Sequence, residues 1–224
     1  MKYHGIIFDF NGVLLWDSHL HEQAWVEFSK ELRGTAFSEE ELMHHMHGKP
    51  NKYIFEYLLK RTLDTQERQR LSQLKETRYR ALCLQNVDDF QLSPGAFELL
   101  TFLMENNIPR TIATFAPKDN LDFYIAHLHL ETWFDLKKIV YDDGSFSDKA
   151  SMYCQAAKNI ALSPENCIAI EDSLFGLTAA VRAHVGKVIA LGPKKTHPAL
   201  LSLPGITSAI TALEFIKGED WFDF

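Results

Sequence analysis

The run Gly5-Ile6-Ile7-Phe8 is too short for an ordinary helix, carries no charge, and ends at Asp9 just before an Asn11-Gly12 turn. It reads as a strand buried within a sheet. Asp9 then lies at the carboxyl end of a parallel strand, the edge where open α/β sheets place their ligands. Taken alone, the stretch favours a plainer reading, because an Asp that closes a strand is most often a turn residue bonded to its own backbone.

A second strand of the same kind shifts the balance. Cys167-Ile168-Ala169-Ile170 ends in Glu171-Asp172-Ser173, followed by Gly176 and a helix-like segment from Leu177 to Ala183. Two strand ends that deliver Asp9, Glu171 and Asp172 to one sheet edge make an all-oxygen pocket, the donor set that suits Mg²⁺. Acids at the start of a helix also serve as caps, and for one of the two that role is sufficient.

Between these strands the hydrophobic period changes. Asp17 to Arg33 reads as a helix with Leu20, Ala24, Trp25 and Phe28 on one face, stopped by Gly34. Ser38 with Glu41 is a capping-box signature for a helix through Met46, and Pro50 opens another with Ile54, Tyr57 and Leu58 inward. Thr65 to Leu84 is a longer helix with Leu71, Leu74 and Leu82 inward. Residues 16–87 thus form an all-helical block, and the remainder alternates. A helix from Ser93-Pro94 to Glu105 leads to strand Arg110–Thr114 and a helix near Asp119–Leu128. Strand Lys138–Tyr141 and a helix near Ser151–Ile160 come next, then the Ile168 strand, the Leu177 helix and strand Lys187–Leu191. Gly192 to Pro198 is a loop, and the apolar tail Trp221-Phe222-Asp223-Phe224 is expected to dock on the core. Such βα alternation predicts a Rossmann-like parallel sheet with helices on both faces. The core is residues 1–15 and 88–224, and the helical block is an insertion after the first strand.

Asp9-Phe10-Asn11-Gly12-Val13-Leu14, Thr114, Lys149 and Glu171-Asp172-Ser173 resemble, in order, the four motifs of the haloacid dehalogenase superfamily. Asp17-Ser18-His19-Leu20-His21-Glu22-Gln23-Ala24-Trp25 and His47-Gly48-Lys49-Pro50-Asn51 extend the similarity to its β-phosphoglucomutase-like branch. The resemblance spans nearly the whole chain. It implies a helical cap over an active site, with Asp9 as a nucleophile that forms an aspartyl phosphate and Mg²⁺ held by Asp9, the Asn11 backbone carbonyl, Glu171 and Asp172. By the same resemblance Thr114 and the backbone N–H groups after it hold the phosphoryl oxygens, Lys149 pairs with phosphate and nucleophile, and His21, Lys49 and Asn51 face the substrate. Each of these types has an ordinary reading too: a lysine is normally a solvated surface charge, and this chain has ten histidines.

The sequence departs from the pattern twice. After Lys149, the segment Ala150-Ser151-Met152-Tyr153 is shorter than the proline-rich spacer of the relatives. Where those phosphotransferases carry a second Asp that protonates the leaving oxygen, this chain has Asn11, which has no titratable proton. Loss of a positioned general acid or base typically costs about 10²–10⁴ in rate. The expected activity is therefore a phosphohydrolase of small phosphorylated metabolites that turns over ordinary monoesters slowly. A phosphomutase needs that acid/base in both half-reactions. A carbon–halogen hydrolase has no use for Glu171-Asp172, and a carbon–phosphorus hydrolase that forms a Schiff base on a cap lysine fits Lys49 and Lys52 poorly. A degenerate member that binds phosphorylated ligands without turnover is the reading from a different class.

The 224 residues, 46% hydrophobic and 24% charged, supply a full core, and the net charge of −7 without a Lys/Arg cluster argues against a nucleic-acid partner. Three cysteines without CxxC spacing speak against a disulfide framework or a zinc site. Met1-Lys2-Tyr3-His4 runs straight into the first strand, which leaves no room for a leader peptide, and no apolar run approaches the roughly 20 residues of a membrane span. The expectation is a cytoplasmic protein, monomeric or a weak homodimer.

Overall fold

The computed structural model describes residues 3–216 and Phe222. The chain divides into two compact units: the stretch through Trp16 together with the chain from Gln91 onward, and Asp17–Phe90. Met1, Lys2, Trp221, Asp223 and Phe224, on which two of the expectations fall, lie outside the described residues.

The first unit is built on a six-stranded sheet, all parallel, in the order β3-β2-β1-β4-β5-β6. Its strands are β1 (Gly5–Phe8), β2 (Arg110–Pro117), β3 (Val140–Asp142), β4 (Cys167–Glu171), β5 (Lys187–Leu191) and β6 (Ile206–Ile210). The earliest strand in the chain is the central one. Phe8 pairs with Ile112 of β2 on one side and with Ile170 of β4 on the other, so all four β1 residues are buried and apolar side chains suit both faces. Helices α5 (Ala96–Glu105), α6 (Lys118–Leu128), α7 (Lys149–Asn159), α8 (Leu174–Arg182) and α9 (His197–Leu201) connect the strands. Ala156, Ala157, Ala179, Ala180 and Ala183 of the α7–α8 layer lie in a core with Ile7, Ala169 and Val188. Small residues there bring helix backbones close to the sheet.

The second unit is entirely helical: α1 (Ser18–Arg33), α2 (Glu39–Glu41), α3 (Asn51–Leu59) and α4 (Thr65–Gln85). Trp25, Phe28, Phe37, Met46, Ile54, Phe55, Leu58 and Leu71 form its core. The capping box at Ser38 and Glu41 is present, but after one turn the chain widens into a π-helical turn over Leu42–Met46 rather than continuing as one helix.

Several boundaries differ from expectation for local reasons. The helix expected from Ser151 starts at Lys149, because the Asp148 side chain caps it by accepting from Ser151 N at 2.9 Å. The third strand starts at Val140 rather than Lys138, since Asp135 accepts from Lys137 N and tightens the preceding residues into a 3₁₀ turn. The 192–198 loop is partly ordered: a turn at Lys194–Thr196 runs into α9, with Pro198 in its first turn, where the missing N–H is not needed. Strand β6 was not anticipated at all. Leu74 points outward, 49% exposed, and the buried face of α4 instead carries Leu71, Lys75, Glu76, Tyr79 and Leu82. Of the tail, Phe222 is buried and forms a parallel bridge with Tyr3.

Candidate active site

Asp9 is the first residue past β1, and its N–H donates to Ile170 O at 3.1 Å. Because β1 and β4 run in register to Phe8 and Ile170, the next positions, Asp9 and Glu171, come out side by side. Asp172 follows, and one carboxylate oxygen from each of the three lies within 4.8 Å of the others. Among the described residues this is the one grouping of His, Cys, Asp and Glu with the spacing of a metal site. Two close approaches hold it in place. A Cβ on Gly12, whose φ is +80°, would overlap the Asp172 carboxylate, and one on Gly176 would overlap that of Glu171. Only glycine fits both the backbone and the space at position 12.

Lys149 is placed by the first turn of α7. Its Nζ is 2.8 Å from Asp9 Oδ2 and 2.5 Å from Glu171 Oε1, and the side chain is 4% exposed. Burial alone would favour the neutral amine; the flanking Asp9 and Glu171 outweigh it and hold the ammonium protonated. Glu171 also accepts from the Tyr153 hydroxyl at 2.7 Å. Burial, reinforced by Glu171, keeps that phenol protonated far above its usual range, so it serves as a donor.

Three carboxylates against one ammonium leave two negative charges in excess. Burial first, and Glu171 second, push the Asp9 carboxyl up to about 7, despite the opposing pull of Lys149. Burial and the Glu171 and Asp9 charges push Asp172 up as well. Such a site lacks a counter-charge, and its hard oxygen donors fit a divalent cation of the Mg²⁺ type. Proton and cation compete for the same oxygens.

Thr114 was expected to close a strand ahead of a loop. Instead β2 runs on to Pro117 and passes directly into α6; the pairing with β3 shifts register between Ala113 and Pro117, which absorbs the extra residues as irregular strand. Thr114 Oγ1 accepts from Ala116 N at 3.0 Å within that stretch. Asn11 sits in a tight turn whose base is Phe10 O, which accepts from the N–H groups of Val13, Leu14 and Leu15. Its side-chain Nδ2 donates to the Tyr124 hydroxyl at 2.9 Å.

Within the helical unit, His21 and Asn51 belong to one network. Lys75 Nζ lies 3.1 Å from His21 Nδ1 and 2.8 Å from Glu76 Oε1, and Asn51 Nδ2 donates to that same oxygen at 2.7 Å and to Ser72 Oγ at 3.1 Å. His21 stacks on Tyr79, whose hydroxyl donates to Asp17 Oδ2. Asp17 thus occupies the cap position of α1 without capping it. Lys49 Nζ lies 5.4 Å from the centre of the Tyr53 ring.

Tyr153, Lys75 and Tyr124 were missed in the sequence. The first had a signal: Tyr153 follows Lys149 by four, the spacing that puts both on one helical face. Lys75 falls at the same spacing after Leu71 and before Tyr79, but a lysine on an apolar face is discounted by composition alone. Tyr124 carried no signal beyond its helical segment.

The chain is a member of the haloacid dehalogenase-like hydrolase family, whose profile matches residues 3–184. A solved family IA, variant 3 hydrolase from Entamoeba histolytica is 32% identical, superposes with a TM-score of 0.87, and covers 99% of this chain and 97% of its own. The β-phosphoglucomutase of Clostridium difficile shares the fold at 20% identity, with a TM-score of 0.79 over 97% of this chain and 95% of its own. A chloroplastic 5-amino-6-(5-phospho-D-ribitylamino)uracil phosphatase of Arabidopsis thaliana is 25% identical over 172 residues, 75% of this chain; the match spans 44% of that longer protein. No helix among the described residues is long and apolar enough to cross a membrane.

Proposed function

We propose that this chain is a Mg²⁺-dependent phosphohydrolase of small phosphorylated metabolites, working through an aspartyl phosphate on Asp9. The observation that carries the reading is the grouping of buried Asp9 and Glu171, both paired with Lys149, with half-buried Asp172 at the carboxyl edge of the sheet. An oxygen of Asp9 forms a bond to phosphorus as the ester P–O bond breaks, and water later cleaves the aspartyl phosphate to free phosphate. Lys149 holds the Asp9 carboxylate and meets the phosphoryl charge; Glu171, fixed by Lys149 and Tyr153, keeps the ammonium in place. The Thr114 hydroxyl takes a phosphoryl oxygen. Asp9, the Asn11 carbonyl and Asp172 would hold the cation, with Glu171 as ligand or outer partner, and the bound ion would neutralise charge between nucleophile and phosphoryl group.

Within the helical unit, His21, Lys49 and Asn51 are the residues proposed to set substrate choice. A phosphatase of a phosphorylated ribityl compound among the relatives supports this class of substrate. The setting is cytoplasmic and the chain a monomer or weak homodimer. Asn11 favours a second reading, ligand binding without turnover, and disfavours a phosphomutase. The test is a panel of metabolite phosphates assayed for released inorganic phosphate, with Mg²⁺ or EDTA and with Asp9→Asn. Release that needs both Mg²⁺ and Asp9 supports the hydrolase; ligand-induced stabilisation with no release supports the binding reading.

A further inference from the structure

The short segment after Lys149, where the relatives carry a longer spacer, is here the first turn of α7, capped by Asp148. Tyr153 follows Lys149 by four residues and so shares a helix face with it. Both side chains are buried, and both reach the same atom. Glu171 Oε1 lies 2.5 Å from Lys149 Nζ and accepts from the Tyr153 hydroxyl at 2.7 Å. A carboxylate oxygen has two lone pairs, so these two donors fill Oε1. Glu171 Oε2, by contrast, has the Ser173 hydroxyl at 3.4 Å, too long for a strong O–H···O bond. The two oxygens of one carboxylate are thus made unequal, and the phenol is half of the cause.

We infer that Tyr153 is a positioning residue that sets which divalent cation the site prefers, an inference that rests on the Mg²⁺-dependent reaction proposed above. With Oε1 filled, Glu171 has one oxygen to offer a cation and cannot offer both. Ca²⁺ gathers a large, flexible shell of oxygens and readily takes two from one carboxylate. Mg²⁺ demands a small octahedral shell and keeps several of its waters. A Glu171 limited to one oxygen therefore suits Mg²⁺ and handicaps Ca²⁺. Tyr153 acts through Glu171: without its hydroxyl a lone pair of Oε1 returns, and the carboxylate can turn both oxygens to a cation.

The experiment titrates the metal-stripped wild type and Tyr153→Phe with MgCl₂ and, separately, with CaCl₂ by isothermal titration calorimetry. Melting temperatures at matched concentrations of each salt run alongside. Loss of an outer partner of a ligating carboxylate typically costs about 10–100-fold in metal affinity. Mg²⁺ affinity is therefore expected to fall about tenfold in Tyr153→Phe, while Ca²⁺ affinity holds or rises, so that the ratio of the two drops by roughly tenfold or more. A contact that is merely structural would weaken both cations alike, and an unchanged ratio overturns the role. Should Tyr153→Phe not fold, the wild type still decides. It is expected to bind Mg²⁺ at least as tightly as Ca²⁺, and a clear preference for Ca²⁺ overturns the role. Wild type that binds neither cation overturns the metal site of the proposed reaction and this role with it. Mg²⁺ binding that supports Asp9-dependent phosphate release, at a ratio indifferent to Tyr153, overturns the role of Tyr153 alone.

Discussion

Replacing Asp9 with its neutral isostere should make the cation-free protein more stable. Asp9→Asn removes a charge from a site where three carboxylates face one ammonium. Burial and Glu171 raise the Asp9 carboxyl from 3.8 to about 7. The folded state therefore holds this proton more tightly than the unfolded chain, and its stability falls as pH rises from about 4 through 7. At 1.36 kcal/mol per pKa unit, ionised Asp9 costs the fold up to about 4 kcal/mol at pH 8. That figure is already net of the attraction to Lys149. In the variant Lys149 keeps Glu171 at 2.5 Å, and the asparagine carbonyl still accepts a hydrogen bond. Urea unfolding in EDTA should show Asp9→Asn more stable than wild type by a few kcal/mol at pH 8, with the gap closing towards pH 4. Mg²⁺ should stabilise the wild type more than the variant, and more at pH 8 than at pH 5.5. A variant less stable than wild type at pH 8 in EDTA would refute the reasoning, by showing that the Lys149 pair outweighs desolvation and repulsion.

Gly12→Ala forces a Cβ into the Asp172 carboxylate at a positive φ; it should lose at least about 2 kcal/mol and most of the Mg²⁺-induced rise in melting temperature. Tyr153→Phe removes a buried donor to Glu171 and should cost about 1–3 kcal/mol by denaturant titration, with a lowered kcat. Glu76 loses from burial but gains more from Lys75 and His21, which hold its carboxyl down from 4.5 to about 2. Its contribution is present above about pH 4.5 and lost as pH falls toward 2, so Glu76→Gln should destabilise by about 3 kcal/mol at pH 7 and by little near pH 2.5 in the same titration.

How much of this was legible depended on whether hydrophobicity or pairing decided a residue's place. β1, β4 and β5 are short apolar runs, and their residues announce buried strands. β6 is Ile-Thr-Ser-Ala-Ile at the sheet edge, too polar in its middle to stand out from a loop. Leu74 and Lys75 exchanged their expected places because Lys75 finds partners in Glu76, His21 and two aromatic rings, contacts that a one-dimensional pattern does not contain. At the site, the three acids and Lys149 were visible as residue types, and the structure brings them together. Tyr153 and Tyr124 reach Glu171 and Asn11 by hydrogen bonds across the fold, and those are set by packing.

The central position of β1 orders events in time. Residues 5–8 leave the ribosome well before their two flanking partners, which begin at Arg110 and Cys167. The strand that carries Asp9 must wait for most of the chain before either edge is satisfied, a long-range closure that slows folding. A fragment ending before β4 retains Asp9 without Glu171 or Asp172, so the three-carboxylate grouping exists only in chains that extend past β4.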